Sequence, residues 1–111
     1  MMHEMNLNND PYNKMKAGTK TVEMRLYDEK RQLLKEKDLI KFTNRTTGES
    51  MVVEIEKLYK YNNFEELYRH FDKISIGYNK EDKADPKDMD NFYSKQEQLK
   101  YGVLGIKIKK L

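Results

Sequence analysis

Three charged residues, Lys20, Glu23 and Arg25, have types and a spacing that could do chemistry in this chain. They fall in a segment whose apolar residues alternate, so Glu23 and Arg25 share one face of a predicted strand. Arg25 offers a planar fork that suits a phosphate or a base edge, and Lys20 adds a point charge. Because a buried charge is costly unless it is paired, we expect Glu23 to be buried or half-buried and ion-paired to Arg25.

The same three residues permit two other interpretations. Charges two residues apart also form ordinary ion pairs on the wet face of an edge strand, where they contribute little to stability. A catalytic site is the second alternative, in which Glu23 acts as a base on a water molecule and Lys20, if desolvated, as a general base with a lowered pKa. The spacing alone leaves ligand binding, surface pairing and hydrolysis open.

Composition restricts the class of protein. The 111 residues suffice for one domain, 1–111, with one core. The net charge of +3 is too small to indicate a nucleic-acid partner by itself. With no cysteine and two well-separated histidines, His3 and His70, the chain has no metal-ligand spacing, and no cofactor motif is visible. No apolar run approaches the roughly 20 residues of a membrane span and no export signal is visible, so we expect no membrane partner and a cytoplasmic location.

Hydrophobic periodicity and turn residues predict five strands and several short helices. A first helix would begin with Asp10 as its N-cap and end at Gly18, and an amphipathic helix would cover 63–71. Two further helices would start at Asp85-Pro86 and at Ser94, which forms a capping box with Glu97. Residues 28–37 would form a weak short helix or an extended segment. Alternation predicts strands at 3–8, 20–27, 38–44, 50–60 and 102–109.

Residues 73–88 lack a periodic pattern and are rich in charge. A loop of this length in a small domain is often functional or mobile. We therefore expect this segment to form a flap, or lid, over one mouth of the predicted barrel.

The order of sequence motifs along nearly the whole chain resembles that of the ASCH domain family, a branch of the PUA-like β-barrels. The block Gly18-x-Lys20-x-x-Glu23-x-Arg25 is the most specific part of the resemblance. The family usually has Gly-Asp where this chain has Lys37-Asp38, and the exchange of Gly for Lys argues against a tight turn there. The remaining matching segments are His3-x-Met5-x-Leu7, Asp28-Glu29-Lys30-Arg31, Lys37-Asp38-x-Ile40-x-Phe42 and Tyr101-Gly102-Val103-Leu104-Gly105-Ile106.

The resemblance implies an α+β fold, a small PUA-like β-barrel of about five to six strands with short peripheral helices. It also implies a cleft beside the barrel that holds Lys20, Glu23 and Arg25, and RNA or a nucleotide- or nucleoside-like molecule as the ligand. Aromatic side chains would supply stacking surfaces, as they do for single-stranded RNA. The predicted ligand-binding residues are therefore Lys20, Glu23, Arg25, Tyr93 and Tyr101, with Tyr27 as a further stacking candidate.

Some branches of the family are enzymes, so the resemblance also implies an alternative function. Small bacterial amidohydrolases that act on acetylated cytidine carry a Lys followed three residues later by a Thr nucleophile. Lys20 matches that Lys, but Glu23 stands in place of the Thr, which argues against the same covalent mechanism. Lys20 and Glu23 remain the catalytic candidates for a hydrolase of a modified nucleoside or an RNA-processing enzyme, and a protein-interaction module without a ligand is a third hypothesis.

Overall fold

The computed structural model describes residues 1–111, which form five strands, three α-helices and two 3-10 turns. The strands are β1 (Met2–Leu7), β2 (Val22–Leu26), β3 (Leu39–Asn44), β4 (Ser50–Tyr61) and β5 (Val103–Lys110). The helices are α1 (Asn9–Ala17), α2 (Phe64–His70) and α3 (Lys95–Tyr101), and the 3-10 turns cover Arg31–Leu33 and Pro86–Asn91. None of the helices has the length and apolar composition needed to cross a bilayer.

All five strands belong to one sheet in the order β1-β3-β4-β5-β2. β1 runs parallel to β3, and every other neighbouring pair is antiparallel. The sheet curls into a half-barrel with short helices around it, which confirms the predicted α+β barrel-like fold. β1 and β2 are the two edges of this sheet, and the Arg25 guanidinium connects them by donating a hydrogen bond of 2.7 Å to the Asn6 carbonyl oxygen.

The hydrophobic core has two parts, one on each face of the curled sheet. The larger cluster packs α1, through Tyr12 and Met15, against alternating residues of β1, β3, β4 and β5. The second packs β2 against α2 and Met89. Each large side chain that is fully buried here contributes roughly 1.5–3 kcal/mol to the free energy of folding, so the strand positions of these residues are strongly specified.

The close approach of α2 to the sheet depends on Gly105 in β5. A Cβ atom at this position would lie 3.3 Å from Cε2 of Phe71 and 3.5 Å from Cδ1 of Leu67. The absence of a side chain at Gly105 therefore lets α2 lie directly on the strand that neighbours β2.

Most of the predicted helix ends are confirmed, and one is wrong. Gly18 ends α1 in the left-handed conformation, and Ser94 and Glu97 form the capping box of α3. The N-cap of α1 is Asn8 rather than Asp10, which lies in the first turn. The helix can begin before Pro11 because the first-turn backbone N–H groups have no partner in the helix, so a proline there removes no hydrogen bond.

Two local predictions near the site also need correction. Lys20 and Thr21 precede β2 instead of belonging to it, because the amides of Thr21 and Val22 both donate to the Ser75 carbonyl oxygen at 2.9 Å. The turn before β3 is retained although Lys37 replaces the expected glycine. Lys37 adopts a left-handed conformation with φ of 75°, a strained arrangement for a residue with a side chain.

Candidate functional site

The charged floor, which we define as Lys20, Glu23 and Arg25, consists of one carboxylate with a cation paired to each of its two oxygens. The Lys20 ammonium lies 3.2 Å from Oε1 of Glu23, and Nε and Nη2 of Arg25 each lie 2.7 Å from Oε2. The three residues are only 3%, 6% and 9% exposed. The predicted burial and pairing of Glu23 are confirmed, and the surface ion pair is ruled out as a description of this site.

The electrostatics of the charged floor keep Glu23 ionised. Burial by itself would raise the pKa of Glu23, but the charges of Lys20 and Arg25 and their hydrogen bonds outweigh it and hold the pKa below its usual range. Burial by itself would lower the pKa of Arg25, but the facing Glu23 carboxylate raises it. With two cations and one anion, the charged floor carries a net charge of one positive unit.

The two cations differ in how many donors they have left for a ligand. All three N–H donors of Lys20 have a partner, since the ammonium also donates to the carbonyl oxygens of Val22 at 2.8 Å and Ile76 at 3.1 Å. Arg25 uses Nε for Glu23 and Nη2 for Glu23 and Asn6, whereas Nη1 makes no hydrogen bond within the protein. Arg25 is therefore the residue of the charged floor with a donor to offer.

The charged floor lies at the bottom of a cleft of about 440 Å³ between the two edges of the sheet. Asn6 and Asn8, at the end of β1 and beside it, line one side. The exposed residues that line the cleft include Asp10, Arg45 and Phe92, and the Phe92 side chain is 62% exposed. The volume of the cleft and its exposed lining residues leave room for a small molecule.

The opposite side of the cleft is the tyrosine wall, which we define as Tyr68, Tyr78 and Asp88. The hydroxyl oxygens of Tyr68 and Tyr78 are 2.7 Å apart, and the Tyr78 hydroxyl donates to Oδ2 of Asp88 at 2.8 Å. Burial raises the pKa of Tyr78, and its hydrogen bonds to Tyr68 and Asp88 add to the increase. Burial likewise raises the pKa of Tyr68. Both tyrosines therefore keep their protons at neutral pH.

The segment predicted as a flap, 73–88, contributes Ile76, Gly77, Tyr78 and Asp88 to the cleft. Lys20 donates to Ile76, and Lys14 of α1 donates to the Gly77 carbonyl oxygen at 2.8 Å. Gly77 has φ of 113°, and a Cβ atom there would lie 3.4 Å from Cδ of Lys20. The segment is thus connected by hydrogen bonds to the start of β2, and Lys20 links it directly to Glu23.

The structure brings some of the predicted aromatic residues to the cleft and leaves others out. Tyr93 lines it, with its ring stacked on Phe64 at a centroid distance of 6.1 Å. Tyr101 does not line it, and its hydroxyl donates to Glu29 at 3.2 Å. Tyr27 also lies outside, where the Lys60 ammonium sits 4.3 Å from the centre of its ring.

Several cleft residues were not predicted from the sequence. Asn6 acts through its backbone carbonyl, which no side-chain pattern reveals. Phe92 could have been recognised from the sequence. It is a bulky aromatic residue next to Tyr93 at a predicted junction between two helices, and such a residue is a candidate for binding when packing does not require it. The other unpredicted residues that matter here are Arg45, Tyr68, Tyr78 and Asp88. No group of three or more His, Asp or Glu side chains is arranged to hold a metal ion.

Comparison with known proteins gives one family and several similar structures. The family model described as "ASCH domain" matches residues 5–111. The crystal structure of the hypothetical protein PH0355 is 29% identical, with a TM-score of 0.84 and 100% of both chains covered. The solution NMR structure of protein PF0455 from Pyrococcus furiosus is also 29% identical, with a TM-score of 0.78 over 100% of this chain and 98% of the other.

A third solved structure shows similarity of fold alone. It is a serine-to-alanine mutant of ZmASCH from Zymomonas mobilis, 14% identical, with a TM-score of 0.64 over 98% of this chain and 68% of the other. A search of curated proteins gives no match.

Proposed function

This chain belongs to the ASCH domain family, and from that premise we propose that it binds RNA, or a nucleotide- or nucleoside-like ligand, in the cleft above the charged floor. ASCH domains are linked to RNA binding in general. The observation that carries the proposal is the buried Arg25 guanidinium, whose Nη1 has no partner within the protein and which belongs to a charged floor with a net charge of one positive unit. A fixed guanidinium of this kind suits an electron-rich base edge or a phosphate oxygen.

The dimensions of the cleft favour one nucleotide unit over a long strand. A volume of about 440 Å³ lies within the range typical of small-ligand sites, roughly 300–1,000 Å³. A protein that follows a nucleic-acid backbone uses a continuous basic groove. Here the exposed lining combines Arg45 with Asp10 and Asp88, so we propose that one base enters while any remaining RNA lies outside.

Aromatic residues support a base as the group that enters. Tyr93 and Phe92 both line the cleft, and Phe92 is largely exposed to solvent. Stacking on aromatic rings contributes about 1–3 kcal/mol per base in single-strand recognition. An exposed phenylalanine at the cleft is consistent with that use.

The geometry favours binding over hydrolysis. A general base works best when its pKa lies near the working pH, but the charged floor holds the pKa of Glu23 below its usual range and both carboxylate oxygens already accept hydrogen bonds. Lys20 would have to give up a proton while it pairs with that carboxylate. We therefore assign Glu23 to orienting Arg25 and Lys20 to holding the cleft together.

Amide NMR titrations with short single-stranded RNA and with nucleoside monophosphates test the proposal. We expect shifts at amides around the cleft, including those of Asn6, Gly77 and Phe92. Arg25→Lys keeps the charge but loses the planar fork, so ligand affinity should fall by about tenfold while the fold is retained. Arg45→Gln should weaken binding by a few-fold, whereas Arg69→Gln, which removes another exposed arginine from α2, outside the cleft, should not.

Two results would contradict this function. One is the absence of shifts at the cleft with every RNA and nucleotide tested. The other is turnover of acetylated cytidine or a related modified nucleoside by the wild-type protein that Glu23→Gln abolishes, which would establish the hydrolase in place of the binding protein.

A further inference from the structure

The tyrosine wall fixes the direction of its own hydrogen bonds, which has a consequence for the ligand. The Tyr78 hydroxyl lies 2.8 Å from Oδ2 of Asp88 and 3.3 Å from the Asp85 carbonyl oxygen, and a carboxylate or a carbonyl oxygen only accepts hydrogen bonds, so its single proton points to these groups, with Asp88 the nearer. The Tyr78 oxygen is then the acceptor for the Tyr68 hydroxyl, 2.7 Å away. The proton of Tyr68 is committed in turn, and its oxygen can only accept.

The tyrosine wall therefore presents acceptors without donors to the cleft. Tyr68 and Asp88 are both hydrogen-bonded to the same Tyr78 oxygen, at 2.7 and 2.8 Å. Their oxygens thus lie no more than two hydrogen-bond lengths apart. The charged floor has the opposite character, because the Nη1 group of Arg25 can only donate. A ligand that spans the cleft must turn donors towards the tyrosine wall and an acceptor towards the charged floor.

We propose that the cleft selects nucleobases that carry an exocyclic amino group, with the tyrosine wall as the specificity-determining element. This inference rests on the proposed function and narrows its ligand. An amino group has two N–H donors on one nitrogen, which match the two neighbouring acceptors of Tyr68 and Asp88. Uracil has a single ring N–H between two carbonyl oxygens, and these oxygens would face the acceptors of the tyrosine wall. A phosphate has only acceptors and is disfavoured there for the same reason.

Two matched pairs of uncharged nucleosides test this selection. Cytidine and uridine differ in an amino group against a carbonyl, and so do adenosine and inosine; in both pairs the neighbouring ring nitrogen also changes from an acceptor to an N–H donor. We expect the amino member to bind about tenfold more tightly in at least one pair, because the other member places a carbonyl oxygen against the acceptors of the tyrosine wall. Dissociation constants from NMR titration of the wild-type protein measure the ratio directly.

Substitutions in the tyrosine wall show whether it causes the preference. In Tyr78→Phe the Tyr68 hydroxyl loses its acceptor and can donate its proton to a ligand. The nucleoside with the carbonyl group should then bind more tightly, and the ratio of dissociation constants within a pair should fall towards one. Tyr68→Phe removes one acceptor and should weaken the amino member alone. Tyr61→Phe is the matched control, since it removes a hydroxyl that bonds His70 outside the cleft, and it should leave the ratio unchanged.

The outcomes separate this inference from the function on which it rests. Equal affinities for the two members of both pairs would overturn the selection. So would a ratio of dissociation constants that neither Tyr78→Phe nor Tyr68→Phe changes. Both results would leave nucleoside binding in place. No shift at the cleft with any nucleoside, nucleotide or RNA would overturn the proposed function and this inference together. If one tyrosine variant fails to fold, the wild-type ratio still decides whether the cleft prefers amino-bearing bases, and the other tyrosine variant decides whether the tyrosine wall causes the preference.

Discussion

Glu23 of β2 and Glu56 of β4 make the same kind of ion pair in two different environments. Glu23 pairs with Arg25 and Lys20 at side-chain exposures of 8%, 11% and 3%. Glu56 pairs with Lys107 of β5 at 3.2 Å, but these side chains are 47% and 45% exposed. The distances are similar, so the solvent around each pair is what distinguishes them.

The difference in solvent exposure determines how much each ion pair contributes to stability and whether it can hold a side chain in a fixed orientation. Water and salt screen the Glu56–Lys107 pair, and such pairs typically contribute 0–1 kcal/mol. At the charged floor, removing one member leaves another charge buried without its partner, which is far more costly. The low exposure also fixes the direction of the Arg25 guanidinium, because its other donors are already bound. Only the buried pair can therefore orient a group for a ligand.

The largest expected effect comes from neutralising the central carboxylate. Glu23→Gln leaves Lys20 and Arg25 buried without a counter-ion, so the free energy of unfolding should fall by about 3 kcal/mol. Glu56→Gln, the matched control, should change it by less than about 0.5 kcal/mol. Urea denaturation of the two variants beside the wild type measures both values. Equal losses would show that burial does not distinguish the two pairs.

A smaller loss is expected from Lys20→Met. This variant keeps an unbranched side chain only one atom shorter and leaves Glu23 paired with Arg25, but the carbonyl oxygens of Val22 and Ile76 lose a donor. The cost should be about 2 kcal/mol, against a negligible cost for Lys107→Met. Amide exchange at Thr21 and Val22, which donate to Ser75, should become faster as the segment detaches. Unchanged exchange at these amides would refute the role of Lys20 in connecting residues 75–78 to β2.

The smallest effect concerns acid stability. The pKa of Glu23 is lower in the folded protein than its ordinary value of 4.5, so the unfolded chain takes up its proton at the higher pH. The stability that Glu23 contributes is therefore complete above pH 4.5 and is lost as the pH falls towards its folded pKa. Denaturation measured across acid pH should give a shallower decline for Glu23→Gln than for the wild type. A steeper or identical decline would contradict the assigned direction.

Other carboxyl groups will leave some acid dependence in both proteins. The hydrogen bond from His3 lowers the pKa of Asp38, and the one from Gln98 lowers the pKa of Asp90. These groups are unchanged by the substitution, so the difference between the two curves isolates Glu23.

Features that depend on neighbouring residues were predictable. Alternation gave the five strands to within a few residues, and Gly18 and Ser94 marked helix ends through backbone chemistry that acts over one turn. The pairing of Glu23 with Arg25 was visible for the same reason, since residues two apart on a strand share a face. The start of β2 was misjudged because Thr21 and Val22 find their acceptor in Ser75, far along the chain.

The periodicity and turn residues of the chain thus determined by themselves the strands, most of the helix ends and the charge pair on β2, because each follows from contacts within a few residues. The barrel was implied by the resemblance to the ASCH family and not by the periodicity. Only the tertiary structure decided that Lys20 would bond Ile76, that Arg25 would reach Asn6 of the other edge strand, and that Tyr68, Tyr78 and Asp88 would form a chain of hydrogen bonds. These contacts connect different elements, and their partners depend on how the sheet curls and where α2 packs. Local periodicity carries no information about that geometry, so the cleft, unlike the strand that supplies its floor, could not be derived from the residue pattern.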